Sequence, residues 1–310
     1  GGTIANLALQ RVAGKPYVCT EYNHSAPNPY DAETFPLIAA YAALQDWDGI
    51  FAFAYSHRAN DWDRQSIAGF FDIDQHPTKM ATLPAALALF RRGDVSPAQT
   101  TRIAGIDLER ATNAVRDQGP RVGANQFGVP WQEAFQHRVG IQLGTGSAPA
   151  TSTNPARTVS DTGQLVWDTE KKVVTINTAR SKGVVGAGGK FTLDDVTIDV
   201  ASPWAVVQAI VMEGQDFAHA RRALITAAGA AENTGWKWRG SDKTSVGSDW
   251  GTAPSLVEGI KATVQLPRRI SLKAWALDEK GQRREEIPMT DGVLVLDPKH
   301  RTLWYEVAGP

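Results

Sequence analysis

The sequence predicts an α/β unit followed by an all-β region, with the second part built as an antiparallel β-sandwich. Three observations carry that prediction. In the first 95 residues, two nearly continuous apolar runs alternate with helical patterns, and each run ends abruptly in polar residues. From about 161 onward, short β-type runs recur between turn residues. Between them, "LGTGSAPATSTNPARTVSDTG" is rich in Gly, Ser, Thr and Pro and reads as a connector. The expected organisation is residues 1–95 as a βαβα unit, 96–160 as a linker with one short helix, and 161–310 as the sandwich.

The elements follow in order. Residues 15–22 form an apolar strand that stops at Glu21, and the long polar loop "YNHSAPNPYDAE" follows it. Residues 35–47, "FPLIAAYAALQDW", have Leu37, Tyr41 and Leu44 at helical spacing, and Pro36 suits a first turn. "GIFAFAYSH" (Gly49 to His57) is a second apolar strand, followed by the polar loop "RANDWDRQ". "TKMATLPAALALFRRG" reads as helix, with Gly93 as its stop. Strands apolar on both faces, alternating with helices, indicate a parallel α/β sheet or barrel. "LERATNAVRDQG" is the short helix of the middle segment. Later, "QLVWDTEKKVVTINT" reads as two strands around a turn, and "IKATVQLP", "ISLKAWALDEKGQRREEIP", "GVLVLDP" and "RTLWYEV" as further short strands. "RALITAAGAAENTGWKW" reads as one more, which would put Trp236 and Trp238 on one strand face. There they would serve the core or, with Trp250, a carbohydrate-binding surface.

Composition narrows the function classes. The 310 residues carry 32 basic and 33 acidic side chains with no block of like charge, so neither a nucleic acid nor an anionic membrane is indicated as a partner. The longest apolar stretches, such as Leu83 to Phe90, are too short to span a bilayer. No signal peptide is visible in this chain, which leaves a secreted or periplasmic parent open. The single cysteine, Cys19, lies inside an apolar run and reads as a buried, inert thiol.

Motif searches are mostly negative. "GVVGAGGK" mimics a phosphate loop, but Val184 stands where the opening glycine belongs and Phe191 where Ser or Thr does. "GTGSAP" lacks the third glycine of a dinucleotide fingerprint, and neither a zinc-type HExxH nor a GxSxG elbow occurs. Asp72, Asp74 and His76 have poor spacing for a metal site, and no metal or other cofactor is expected.

The remaining chemistry lies at the strand ends. Catalytic groups of α/β barrels sit at the carboxyl ends of their strands, and Glu21, Tyr55 and His57 fall there. The stretch "KPYVCTEYNHSAPNPYDAETFPLIAAYAALQDWDGIFAFAYSH" resembles the last two βα units of a clan-A glycoside hydrolase. In that clan a nucleophilic Glu ends the seventh strand, often after Thr or Ser, and Thr20-Glu21 matches. "DGIFAFAYSH" is similar to the eighth strand. "TSVGSDWGTAPSLVEGIKATVQLP" and "ISLKAWALDEKGQRREEIP" are similar to β-sandwich regions trailing the barrel in cellulase-like and β-galactosidase-like proteins.

The resemblance implies a partial, incomplete β/α barrel of two βα units followed by a sandwich, and a retaining hydrolase of β-linked glucans or galactosides with Glu21 as nucleophile. It implies substrate contacts from Tyr22, Asn23, His24, Tyr55, His57 and Trp62. The Asn-Glu pair that ends the fourth strand of the clan and supplies its acid/base has no counterpart here. Retention needs a second carboxyl group about 5–5.5 Å from the first, so the acid must come from Asp31, Glu33, Asp61, Asp63 or another chain. Asp31 and Glu33 also suit the start of the following helix. Two bare βα units leave open edges and an uncovered face. The chain is therefore expected to be a homo-oligomer, to pack its sandwich on the unit, or to need an upstream polypeptide that completes the barrel. The competing expectation is a non-catalytic carbohydrate-binding module.

Overall fold

The computed structural model describes residues 2–119, 121–146, 156–267 and 272–309. Helices hold 21% and strands 37% of the residues, so a large antiparallel sheet dominates. A short helix α1 (Thr3–Leu9) leads into β1 (Val18–Tyr22), α2 (Thr34–Leu44), β2 (Gly49–Ala52) and α3 (Pro77–Phe90). β1 and β2 pair in parallel, with Val18 opposite Gly49 and Tyr22 opposite Ala52. This is the expected strand–helix–strand–helix order. α2 is buried on nearly every side, because α3, α1 and the Asp31–Glu33 turn pack around it and Phe135 meets Tyr41 edge-on. That explains why its sequence is apolar all round rather than striped.

The middle segment is more than a linker. β3 (Thr101–Ile106), α4 (Leu108–Gln118) and β4 (Arg138–Leu143) form a second parallel pair with its own crossover helix. Asp107 caps α4 by accepting from the Arg110 N–H at 2.7 Å. β4 is tied to the first unit by an isolated parallel bridge from Val12 to Ile141. Gln45, at the end of α2, donates to the Ala134 carbonyl and accepts from the Val139 N–H. Of the connector expected across residues 143–163, residues 147–155 lie outside the described residues, and Arg157–Val159 form a strand rather than a loop.

The remaining strands are β5 (Arg157–Val159), β6 (Leu165–Asp168), β7 (Val173–Asn177), β8 (Ser181–Leu193), β9 (Val196–Glu213), β10 (Arg222–Ala228), β11 (Ala231–Thr234), β12 (Thr252–Val257), β13 (Ala262–Gln265), β14 (Lys273–Leu277), β15 (Arg283–Ile287), β16 (Met289–Thr290), β17 (Val293–Leu296) and β18 (Trp304–Ala308). β11 and β12 pair only with each other; the others make one sheet, ordered β15-β14-β18-β10-β9-β8-β7-β6-β5, with β13, β17 and β16 branching from β9. β9 pairs with β13 through Thr197–Val200 and with β10 through Val206–Glu213. One long strand thus belongs to two halves of the sheet, which close on each other in a sandwich-like way. A core of Ile198, Val207, Ile225, Val264, Leu294 and Tyr305 fills the space between them.

The bend that permits this lies in the glycine run that mimics a phosphate loop. Between Ala187 and Gly189 the β8–β9 register shifts. A Cβ on Gly188 would lie 2.2 Å from the Ser202 carbonyl oxygen, and one on Gly186 2.3 Å from that of Lys172. "GVVGAGGK" is therefore a strand kink at which backbones touch, as glycine in a strand often signals. The opposite face of the sheet packs on the helices. Leu165, Val174, Ile176, Val185 and Val206 share one core with Leu9, Ile38, Leu44 and Leu89.

The single strand expected across residues 222–238 is broken into β10 and β11 and stops at Thr234. Trp236 and Trp238 follow it in a loop and cluster with Trp250, ring centroids 5.4 and 5.6 Å from Trp236. Trp236 is buried, which favours the core role for this trio. Among the described residues no helix is long and apolar enough to cross a membrane.

Candidate active site

The candidate site is built on the end of β1. Cys19 and Tyr22 are both buried, whereas Thr20 and Glu21 are both exposed. A regular strand cannot do this, because residues three apart point to opposite faces. The register shifts between Cys19 and Tyr22, so β1 carries a bulge. Bulges re-aim side chains, and this one presents Glu21 on the open side while Tyr22 turns toward the helices. Cys19 is the buried thiol expected, and its burial pushes its pKa up. The Glu21 side chain has no hydrogen-bond or ion-pair partner among the described residues.

Asn23 is a brace. Its amide donates to the carbonyl oxygens of Phe53 at 2.8 Å and Phe71 at 2.7 Å. It thereby ties the end of β1 to the segment after β2 and to the following loop. His57 is half exposed, with its Nδ1 2.6 Å from Oδ1 of the buried Asp72. That carboxylate also accepts from the His57 backbone N–H. In the neutral ring the contact places the proton on Nδ1 and leaves Nε2 as an outward acceptor. Arg58 and Arg64 lie 3.8 and 3.9 Å from Asp72, and Arg64 pairs with Asp74 at 3.2 Å. Asp72 and Asp74 are thus committed to arginines and His57. Among the described residues no group of three or more His, Cys, Asp or Glu is placed to hold a metal ion.

Tyr55 and Trp62 stand exposed, 58% and 54%, with ring centroids 6.3 Å apart and planes at 31°. Phe70 and Phe71 form a second aromatic group, with Phe71 against Phe53 and Phe70 against Trp250. The pair Phe70–Phe71 carried no legible signal, and Asp72 stood out only in the poorly spaced Asp72, Asp74, His76 set.

The acid candidates separate. Asp31 is 2% exposed, as against 1% for His76 and 0% for Lys79. It lies 2.9 Å from His76 Nε2 and 3.3 Å from Lys79 Nζ. Lys79 Nζ also donates to the His24 carbonyl at 2.5 Å. Burial lowers the pKa of both His76 and Lys79, opposed by Asp31. Removing one partner from such a buried pair costs about 3–5 kcal/mol. Asp31 therefore fastens the loop after β1 to α3 and has no free face for a substrate. Asp61 is exposed at a left-handed backbone position, 3.9 Å from Arg58. Glu33 lies with Tyr22 and His24 at a cavity between the helices and the large sheet, a cavity that Glu21 does not line. The structure thus groups Asn23, Tyr55, His57 and Trp62 along the β1–β2 rim, and places Tyr22, His24 and Glu33 on the other side of β1.

No family model, no curated protein and no solved structure matches this chain.

Proposed function

We propose that the chain carries the nucleophile side of a retaining glycoside hydrolase site for β-linked glucans or galactosides, built on the last two βα units of a barrel. Glu21 attacks the anomeric carbon, the bond to the leaving oxygen breaks, and a glycosyl ester on Glu21 forms. An acid protonates the departing oxygen. The same group then takes a proton from water, whose oxygen displaces Glu21. Tyr55 and Trp62 offer ring faces to the CH face of a sugar, and His57 Nε2 offers an acceptor. The observation that carries the reading is Glu21 itself: an exposed, unpaired carboxylate set by a bulge at the carboxyl end of a parallel strand. The acid is then Asp61 or Asp63 in the loop after β2, both exposed, or comes from further βα units, in a longer polypeptide or a partner chain, which would also complete the barrel. Asp31 is unavailable, and Glu33 opens on another cavity.

The test exploits leaving-group chemistry. Fluoride leaves the anomeric carbon of a glycosyl fluoride with little help from an acid, so a nucleophile alone can be glycosylated. Incubation with 2-deoxy-2-fluoro-β-glucosyl or β-galactosyl fluoride is expected to add one fluoroglycosyl group per chain. Peptide mapping should place it on Glu21, and Glu21→Gln should remain unlabelled. Absence of label with both sugars, or label retained in Glu21→Gln, would overturn the assignment. The exposed Tyr55–Trp62 pair favours a second reading, a surface that holds polysaccharide without cleaving it. Depletion of the chain by insoluble glucan, without any labelling, would select that reading.

A further inference from the structure

The second face of β1 opens on a cavity of ≈ 480 Å³, within the about 300–1,000 Å³ typical of small-molecule sites. It lies where the helix layer parts from the large sheet. Tyr22, His24 and Glu33 supply polar groups from one side, and Trp167 and Trp204 supply partly exposed indoles from β6 and β9. The Tyr22 hydroxyl lies 3.2 Å from His24 Nε2. His24 Nδ1 is buried and has no hydrogen-bond partner; Glu33 Oε1 lies 4.0 Å away. A buried ring nitrogen left unpaired is unfavourable by about 1–3 kcal/mol, and a ligand hydroxyl reaching it would relieve that.

We infer that this cavity is a binding site for a neutral polyhydroxylated ligand, a terminal sugar ring in size and chemistry, separate from the Glu21 rim. The polar groups around His24 do not favour a charged ligand, although Lys172 also lines the cavity. Burial lowers the pKa of His24, so its ring is neutral and cannot pair an anion. Burial, with a smaller contribution from Asp31, pushes the Glu33 carboxyl up to about 7, so it offers a cation only a partly formed counter-charge. Hydroxyl groups, which both donate and accept, suit the phenol, the imidazole and the carboxyl together. The CH face of the ring suits the indoles. The inference does not depend on Glu21 being a nucleophile.

The experiment is saturation-transfer NMR and tryptophan fluorescence on the whole chain with glucose, galactose, cellobiose and lactose. At least one is expected to bind. Trp204→Leu should weaken binding about tenfold or more, and Tyr22→Phe, which keeps the ring and the packing, should weaken it severalfold. Glu21→Gln should leave it unchanged, which separates this cavity from the rim. Failure of all four sugars to bind would overturn the inference. So would binding that survives both Trp204→Leu and Tyr22→Phe, or binding lost on Glu21→Gln.

Discussion

Glu21 and Glu33 are twelve residues apart in sequence and occupy opposite environments. Glu21 stands exposed on a strand end. Glu33 is drawn into the cavity beside Tyr22 and His24, where desolvation first and Asp31 second push its pKa up to about 7 from an ordinary 4.5. The consequence for stability has a definite sign. Between these values the folded chain holds a proton that the unfolded chain has released, so stability falls as pH rises through the window. Glu33→Gln removes that penalty. The variant is expected to be more stable than the parent at pH 8, by about 2 kcal/mol, with the difference vanishing below pH ~4.5 where both states are protonated. Urea unfolding at pH 4 and pH 8 checks this. An equal difference at both pH values would show that Glu33 is not held protonated by its surroundings.

At the scale of elements, the sequence reveals what is apolar and continuous and hides what is bent. β1, α2, β2 and α3 lie within apolar runs bounded by polar loops, and α4 follows from "LERATNAVRDQG". β3 and β4 escaped because "TRIAGI" and "RVGIQL" are short, glycine-broken and flanked by polar residues, so neither period asserts itself. The β8–β9 ribbon escaped because its glycines are spaced like a nucleotide loop, and only the partner strand shows that they serve a close approach. The site was legible to the same degree. A carboxylate at a strand end can be read from the chain, but the bulge that sends Tyr22, and with it His24 and Glu33, to another cavity cannot. The ribbon can be tested directly. Gly188→Ala places a Cβ against the Ser202 carbonyl at 2.2 Å, a backbone contact that no side-chain rotation relieves. It is expected to destabilise the chain by about 2–4 kcal/mol, while Gly281→Ala, with nothing within 4 Å but a left-handed φ of 75°, should lose only about 1 kcal/mol. Thermal melts of the two variants showing equal losses would mean that the bend tolerates a side chain.

For the whole molecule, the decisive feature is what covers β1 and β2. Their helix side is sealed by a core that runs continuously into the large sheet. Their other side is not. Val18 is 40% and Phe51 62% exposed, and both border the same glycine: a Cβ on Gly49 would lie 3.4 Å from Val18 Cγ1 and 3.7 Å from Phe51 Cε2. Val18, Gly49 and Phe51 therefore form one apolar strip on a two-stranded parallel sheet whose outer edges pair with no strand among the described residues. Parallel sheets are normally covered on both faces, and open edges recruit further strands. The sandwich does not cover this strip, because it packs on the helices instead. Among the described residues nothing covers it, which is the reason for proposing further βα units above. In a purified sample containing only this chain, copies of the chain are the available cover. Light scattering is then expected to report a mass that rises above the monomer with concentration. Phe51→Lys, which puts a charge at the centre of the strip, should restore a monomer without altering the far-ultraviolet circular dichroism. A parent chain that stays monomeric at every concentration would show that the strip tolerates water, and would remove the reason to expect completing strands against it.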